Sequence, residues 1–288
     1  MMDNKIINER LKQYKLLTLE DEENALKEIL QELALYSLSV AGFFSEALFH
    51  GGTSLRILYQ LPRFSEDLDF VLKTPNSKFN WGKYTEQLTR VFNLFNIEPE
   101  IVDRTKTNTT VQKLFLKDTS IGKIINFQFH HHQQRKLMIK FEIDTNPPFG
   151  AKEEIKFLEF PQDYAISAQD LGSNFSGKCH ALLCRKYIKG RDWFDFAWYV
   201  SRKTPVNFNL LSAAINQNGP WKDKKIHVDA PWLLTQLKNK IETVDWTQAS
   251  VEVTRFLSPE YQSTLKLWSK NFFLEKVSKM GLSFGINS

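Results

Sequence analysis

Apolar residues recur along this chain with two different periods, and the change from one to the other divides it. Thr18-Leu19-Glu20-Asp21 reads as a helix start, with Thr18 as N-cap and acids in the first turn. The helix continues through ALKEILQELALYSLSVA, Ala25 to Ala41. Ala47 to His50 is a short strand, Ser54 to Tyr59 a helix and Leu68 to Leu72 a strand. Leu88, Val91, Phe92 and Phe95 stand at helical spacing within Lys83 to Phe95. Strands are expected at Ile101–Arg104, Val111–Leu116 and Lys123–Phe129, then at Lys136–Asp144, where the period of two is cleanest, and at Ile155–Phe160. From Ala168 onward the chain reads almost entirely as helix. The expected architecture is α/β: a mixed sheet with flanking helices over 1–160, then a helical domain over 161–288, with the boundary near Pro161. Asn207 to Asp229, which carries Asn-Gly-Pro and a KDKK run, reads as a loop.

Within this pattern one run stands out. FHGGTSLRILYQLPRFSEDLDFVL, Phe49 to Leu72, places Gly51 and Gly52 after a strand and ends on Asp67 and Asp69. Residues i and i+2 of a strand share a face, so both carboxylates point together while Leu68 and Phe70 face the core. Two like charges so placed call for a cation, and oxygen-only ligands favour Mg²⁺ or Mn²⁺. A Gly-Gly turn into a helix offers backbone N–H groups and a positive dipole end, which suit phosphate. Metal beside phosphate is the setting of nucleotidyl transfer. An isolated Asp-x-Asp is more often a solvated strand edge; the upstream glycines reverse that preference. Lys140, Glu142 and Asp144 share a face of the next long strand, and Glu142, or alternatively Asp144, supplies a third carboxylate to ligate the metal or help activate an attacking hydroxyl. Asp144 is equally placed as a turn residue before Asn146-Pro147-Pro148. Thr53, Ser54 and Ser65 carry hydroxyls for phosphate oxygens, although Ser54 also suits a helix cap. Arg63 either reaches a triphosphate or pairs with a carboxylate.

The wording GGTSLR followed by LPRFSEDLDF resembles the AbiEii/MenT-type nucleotidyltransferase toxins of toxin–antitoxin and phage-defence systems. A second block, GKCHALLCRKYIKGRDWFDFAWYV (Gly177 to Val200), resembles that family's later motif of Lys, Arg, Arg-Asp and a further Asp. The likeness is clear from about Ala41 to Val200. It implies a metal-dependent transfer of a nucleoside monophosphate from a nucleoside triphosphate to a hydroxyl, most often of RNA such as a tRNA 3′ end. It also implies a cognate antitoxin, a phosphate-binding role for Lys178, the third carboxylate of the site at Glu142, and a functional Asp192. Read from the residues alone, Asp192 also suits an N-cap of the helix that follows, and Arg185 and Arg191 either bind phosphate or hold Asp192 and Asp195 in ion pairs.

Composition narrows the rest. The 288 residues are 42% hydrophobic and 25% charged, as in globular proteins. No apolar stretch approaches the length of a membrane span, and MMDNKIINERLKQ has no signal-peptide centre, so the cytoplasm is expected and no membrane partner. Cys179 and Cys184, in an expected helix, do not suit a disulfide. His130-His131-His132 reads as an exposed turn rather than a metal site. The net charge of +5 leans mildly toward polyanions. Lys178, Arg185, Lys186, Lys189 and Arg191, with Tyr187 and Trp193 interleaved, suit an RNA backbone and an end base. Two other readings stand beside this one: a protein or small-molecule acceptor, and a non-catalytic module that binds nucleotide or RNA.

Overall fold

The computed structural model describes residues 5–106, 109–121, 128–129 and 136–286. These fall into two compact units. The first comprises 1–60, 64–147 and 154–168, and the second 61–63, 148–153 and 169–288.

The first unit is a mixed sheet with helices on it. In chain order it carries α1 (Lys5–Leu11), α2 (Leu19–Val40), β1 (Ala47–His50), α3 (Gly51–Tyr59), β2 (Asp67–Leu72), α4 (Gly82–Leu94), β3 (Glu100–Asp103), β4 (Val111–Asp118), β5 (Leu137–Asp144), β6 (Glu153–Leu158) and β7 (Tyr164–Gln169). Strand order is β3-β4-β5-β2-β1-β7-β6. β2 lies antiparallel to β1 and parallel to β5, and β5 lies antiparallel to β4.

α2 starts as the sequence predicts. The Thr18 hydroxyl accepts from the Asp21 amide, and the Asp21 carboxylate accepts from the Thr18 amide, a reciprocal capping box. Its long apolar side, with Leu26, Ile29, Leu30, Leu33 and Leu38, is buried in the core shared with α4 and the sheet. β5 alternates as a half-buried strand must: Leu137, Ile139, Phe141 and Ile143 are buried, while Lys140, Glu142 and Asp144 are only half-buried. β2 behaves likewise, sending Leu68 and Phe70 into the core and Asp67 and Asp69 to the other face. The hydrophobic pattern therefore sets which face of the sheet can carry chemistry, because a one-residue slip would bury the carboxylates.

The second unit is helical: α5 (Leu171–Cys184), α6 (Gly190–Ser201), α7 (Phe208–Gln217), α8 (Ala230–Ile241), α9 (Trp246–Thr254), the short α10 (Pro259–Gln262) and α11 (Lys270–Ser283). Trp193, Trp246 and Phe273 form an aromatic knot in its core, with the Trp246 and Phe273 rings stacked at 4.2 Å.

Three expectations need correction or restriction. Tyr164–Gln169, to which the sequence pattern assigns no element, forms β7; YAISAQ is short, and its place between β1 and β6 makes it a strand. Asn207 to Asp229 is not all loop. Asn207 caps α7 by accepting from the Leu210 amide, and Leu210, Leu211, Ala214 and Ile215 form its buried stripe. Most of the strand expected at Lys123–Phe129, and the three histidines at 130–132, lie outside the described residues.

Phe70 joins fold and site. Its ring is buried against Phe43 at 4.9 Å and Phe49 at 5.5 Å, and it is the chain neighbour of Asp69 on β2. Phe70→Ala should lower stability by about 3–5 kcal/mol, as for other large-to-small core changes. Chemical denaturation would check this; a loss below 1 kcal/mol would mean that β2 is not anchored by this ring.

Candidate active site

The site begins where β1 becomes α3. Gly51 takes φ +81°, a conformation that disfavours any side chain. Space forbids one as well, since a Cβ there would lie 2.5 Å from Asp69 Oδ2 and 3.0 Å from Asp69 Cβ. His50 is in register with Asp69, so the tight turn sets the glycine backbone against that carboxylate. Two hydroxyls brace the turn. Thr53 donates to the Asp67 carbonyl, and Ser54 donates to the Gly51 carbonyl at 2.9 Å. Both side chains are fully buried. Their observed work is to fix the helix start on β2, with the backbone of Gly51 and Gly52 forming the first turn of α3. Ser65 is half-buried and its carbonyl accepts from Gln31 Nε2 at 3.0 Å.

Next to the turn, β2 and β5 run in parallel with Asp67 opposite Lys140 and Asp69 opposite Glu142. β4 sets Lys113 opposite Glu142. Five charged side chains thus share one face. Lys140 Nζ lies 3.5 Å from Asp67 Oδ2 and 3.0 Å from Glu142 Oε2, and Lys113 Nζ lies 2.9 Å from Glu142 Oε1. Burial opposes the Lys140 charge, yet Asp67, Glu142 and Asp69 outweigh it and hold the ammonium above its ordinary pKa. For Glu142 burial also opposes ionisation, and Lys113 and Lys140 reverse it, holding the carboxyl below its usual range. Asp144 differs. It stands opposite Val71, accepts from the Asn146 amide at 2.9 Å, and burial pushes its carboxyl up.

Whether these residues suit a divalent ion depends on the donor set. Among the described residues no group of three or more His, Cys, Asp and Glu side chains is gathered to hold an ion alone. Asp67 and Asp69 offer a carboxylate pair, which fits Mg²⁺, an ion commonly held by one or two carboxylates together with substrate phosphates. Mn²⁺ accepts the same oxygen donors.

The other residues singled out in the sequence cluster within the helical unit. Arg63 is buried and forks onto Asp195, with Nε to Oδ1 at 2.6 Å and an η nitrogen to Oδ2 at 2.7 Å. Lys178, on α5, reaches Asp192 at 2.6 Å and Asp195 at 2.8 Å, both on α6. Arg185 adds a contact to Asp192 at 2.8 Å. Asp192 is in the first turn of α6 but is not its cap; that position is Lys189. Arg191 turns elsewhere, pairing with Glu252 at 3.0 Å and lying over the Phe256 ring. Burial disfavours the charges of Asp195 and Asp192, but Arg63 and Lys178 on the first, and Lys178 and Arg185 on the second, hold both carboxyls below the usual range.

Lys113 does not stand out in the sequence, although its place in a period-two strand carries the signal, and the pattern gives Lys140 no role. For Arg63 the sequence offers a triphosphate or a carboxylate without saying which carboxylate; the one it pairs with is Asp195.

Comparison with known proteins agrees with the opening resemblance. A family model described as nucleotidyl transferase AbiEii toxin, type IV TA system, matches residues 33–275, well past the Ala41–Val200 stretch. No curated protein matches the chain. The solved structure of JHP933 from Helicobacter pylori is 17% identical, covering 92% of this chain and 97% of that one with a TM-score of 0.50. A proposed nucleotidyltransferase from H. pylori is also 17% identical, covering 89% and 91% with a TM-score of 0.47. At such identities the first of these likenesses is one of fold.

Gly51→Ala should strain the backbone by about 1–3 kcal/mol and push Asp69 off its seat. Thermal melts and metal binding on one variant check both effects; unchanged metal affinity would dissociate the turn from the carboxylate. Lys178→Ala leaves two buried carboxylates short of a partner, so a loss of about 3–5 kcal/mol is expected on denaturation. Because Asp192 and Asp195 have depressed pKa values in the folded state, their stabilisation is present above the unfolded carboxylate range and is lost as pH falls through the folded values. Stability should therefore hold above about pH 5 and decline below about pH 4. Asp192→Asn should flatten part of that decline in melts across the range.

Proposed function

The chain belongs to the AbiEii nucleotidyltransferase toxin family of type IV toxin–antitoxin systems, and from that premise we propose that it moves a nucleoside monophosphate from a triphosphate to an RNA hydroxyl, at a tRNA 3′ end. The observation that carries the reading is the seat of Asp69 against Gly51, with Asp67 on the same face one pleat away. Family membership implies an antitoxin as partner. Growth arrest of the host, or of a phage-infected host, is the proposed outcome. Among the described residues no helix is long and apolar enough to cross a membrane, and we place the reaction in the cytoplasm, where triphosphates and tRNA meet.

Each residue then has a part. Asp67 and Asp69 would hold Mg²⁺ or Mn²⁺, which when bound supplies charge neutralisation to the phosphates and lowers the barrier to attack at phosphorus. The backbone of Gly51 and Gly52 receives phosphate oxygens at the start of α3. Glu142, beside Asp69, accepts the proton of the acceptor hydroxyl. The acceptor oxygen forms a bond to the α-phosphorus as the bond to the bridging oxygen breaks, and pyrophosphate leaves. The protein contributes mostly positioning and preset charge. In the helical unit Arg63, Lys178 and Arg185 oppose Asp192 and Asp195, leaving one net positive charge. We assign to this cluster the phosphate recognition that the family motif implies: Lys178 and Asp192 hold the arrangement, and Arg185, its most exposed cation, presents it.

The test is transfer itself. Purified protein is incubated with total RNA, Mg²⁺ and each of the four α-labelled triphosphates, beside Asp67→Asn. Label should enter one RNA size class with one triphosphate and fall roughly 100-fold or more in the variant, as when preset charge at a reacting centre is removed. Label in protein instead would replace the acceptor. No label in any product, with RNA retained on the protein, would overturn the enzymatic reading of this site.

A further inference from the structure

The carboxylate face is already partly neutralised by a residue of the chain. Asp67, Asp69 and Glu142 bring three negative charges to one patch of sheet, and Asp69 and Glu142 are direct neighbours in register. Like charges so placed destabilise a sheet. Lys140 stands opposite Asp67 and bridges it to Glu142, while Lys113 holds the other oxygen of Glu142. The two contacts of Lys140 are unequal: 3.0 Å to Glu142 and a looser 3.5 Å to Asp67. Its side chain is 25% exposed, so the ammonium is near water and can leave without crossing the core. Counted over Asp67, Asp69, Glu142, Lys113 and Lys140, the patch carries one net negative charge. A divalent ion in place of Lys140, with Lys113 kept, would bring it to zero.

We propose that Lys140 is a resident counter-ion that occupies the carboxylate patch until a divalent ion arrives with the triphosphate, and that it then yields the carboxylates and pairs with phosphate. Lys140 is thus a positioning residue that couples metal binding to nucleotide binding. The patch with its own ammonium is a poor site for a bare ion, because the ion must displace a held cation. With a triphosphate present, the displaced ammonium gains a new anion and the ion gains phosphate oxygens. The inference rests on the proposed function, since it takes Asp67 and Asp69 as the metal pair.

Titration of Mn²⁺ into the full chain, followed by the electron paramagnetic resonance of free Mn²⁺, tests this. Wild-type protein should bind Mn²⁺ weakly alone, and at least about tenfold more tightly with a non-transferable triphosphate analogue, a coupling of roughly 1.4 kcal/mol. Lys140→Gln should bind Mn²⁺ alone about tenfold more tightly than wild type and lose most of the coupling. In chelator it should melt lower than wild type, with the gap closing as Mn²⁺ is added. Lys140→Arg, which keeps the charge, should exclude bare Mn²⁺ as wild type does. Equal Mn²⁺ affinity in wild type and Lys140→Gln, with coupling intact in both, would overturn the role of Lys140 and leave the metal pair standing. Binding unchanged by Asp67→Asn, or absent from every protein even with the analogue, would overturn the metal pair itself and the inference with it.

Discussion

Everything at the candidate active site depends on one close approach, that of the Asp69 carboxylate to the backbone of Gly51. No side chain fits between them, and the turn's φ suits glycine. The register of β1 on β2 delivers the two residues to this meeting, and the hydroxyls of Thr53 and Ser54, turned inward, keep the start of α3 from shifting. The parallel pairing of β2 with β5 then adds Glu142 at the side of Asp69. A strand, a turn and a neighbouring strand thus place the glycine backbone and a carboxylate pair side by side, where an anion and a cation are proposed to bind. That combination is what phosphoryl chemistry requires of a protein that contributes mainly position and charge.

The two units solve the problem of crowded charge in different ways. On the sheet the charged side chains are half-buried, their contacts reach 3.5 Å, and a lysine can exchange its partner at modest cost. In the helical unit Asp195 is fully buried and is gripped by Arg63 and Lys178 at 2.6 to 2.8 Å. Breaking that arrangement strands a charge away from water, so it is a fixture rather than a switch. Loss of activity on mutating Lys178 therefore conflates a structural and a functional contribution. Arg185, with a side chain 32% exposed, separates them better.

Much of this was legible in the sequence, for identifiable reasons. A period of two over Lys136–Asp144 fixed which side chains face the core, and so which face could hold Glu142. Gly51-Gly52 followed by Asp67-x-Asp69 announced a turn and a carboxylate pair because no cheaper role explains all four. Less visible were features decided by tertiary partners. β7 owes its form to its place between β1 and β6, and α7 hides in a tract whose Asn, Gly and Pro suggest a loop. Arg63 lies four residues before Asp67 in the chain but belongs with Asp195, and only the fold could choose between its two readings. The partnership of Lys113 and Lys140 with Glu142 needs the register of three strands, which periodicity alone does not fix.

Asp67 and Asp69 are proposed to receive a divalent ion at the glycine turn. Crystals grown with Mn²⁺ and a non-transferable triphosphate analogue test it most directly, through the anomalous signal of manganese. A peak within coordination distance of both carboxylates, with phosphate oxygens completing the shell and reaching the Gly51–Gly52 backbone, is the expected result. Density for the nucleotide with manganese bound elsewhere, and the Asp67–Lys140 contact unchanged, would contradict it.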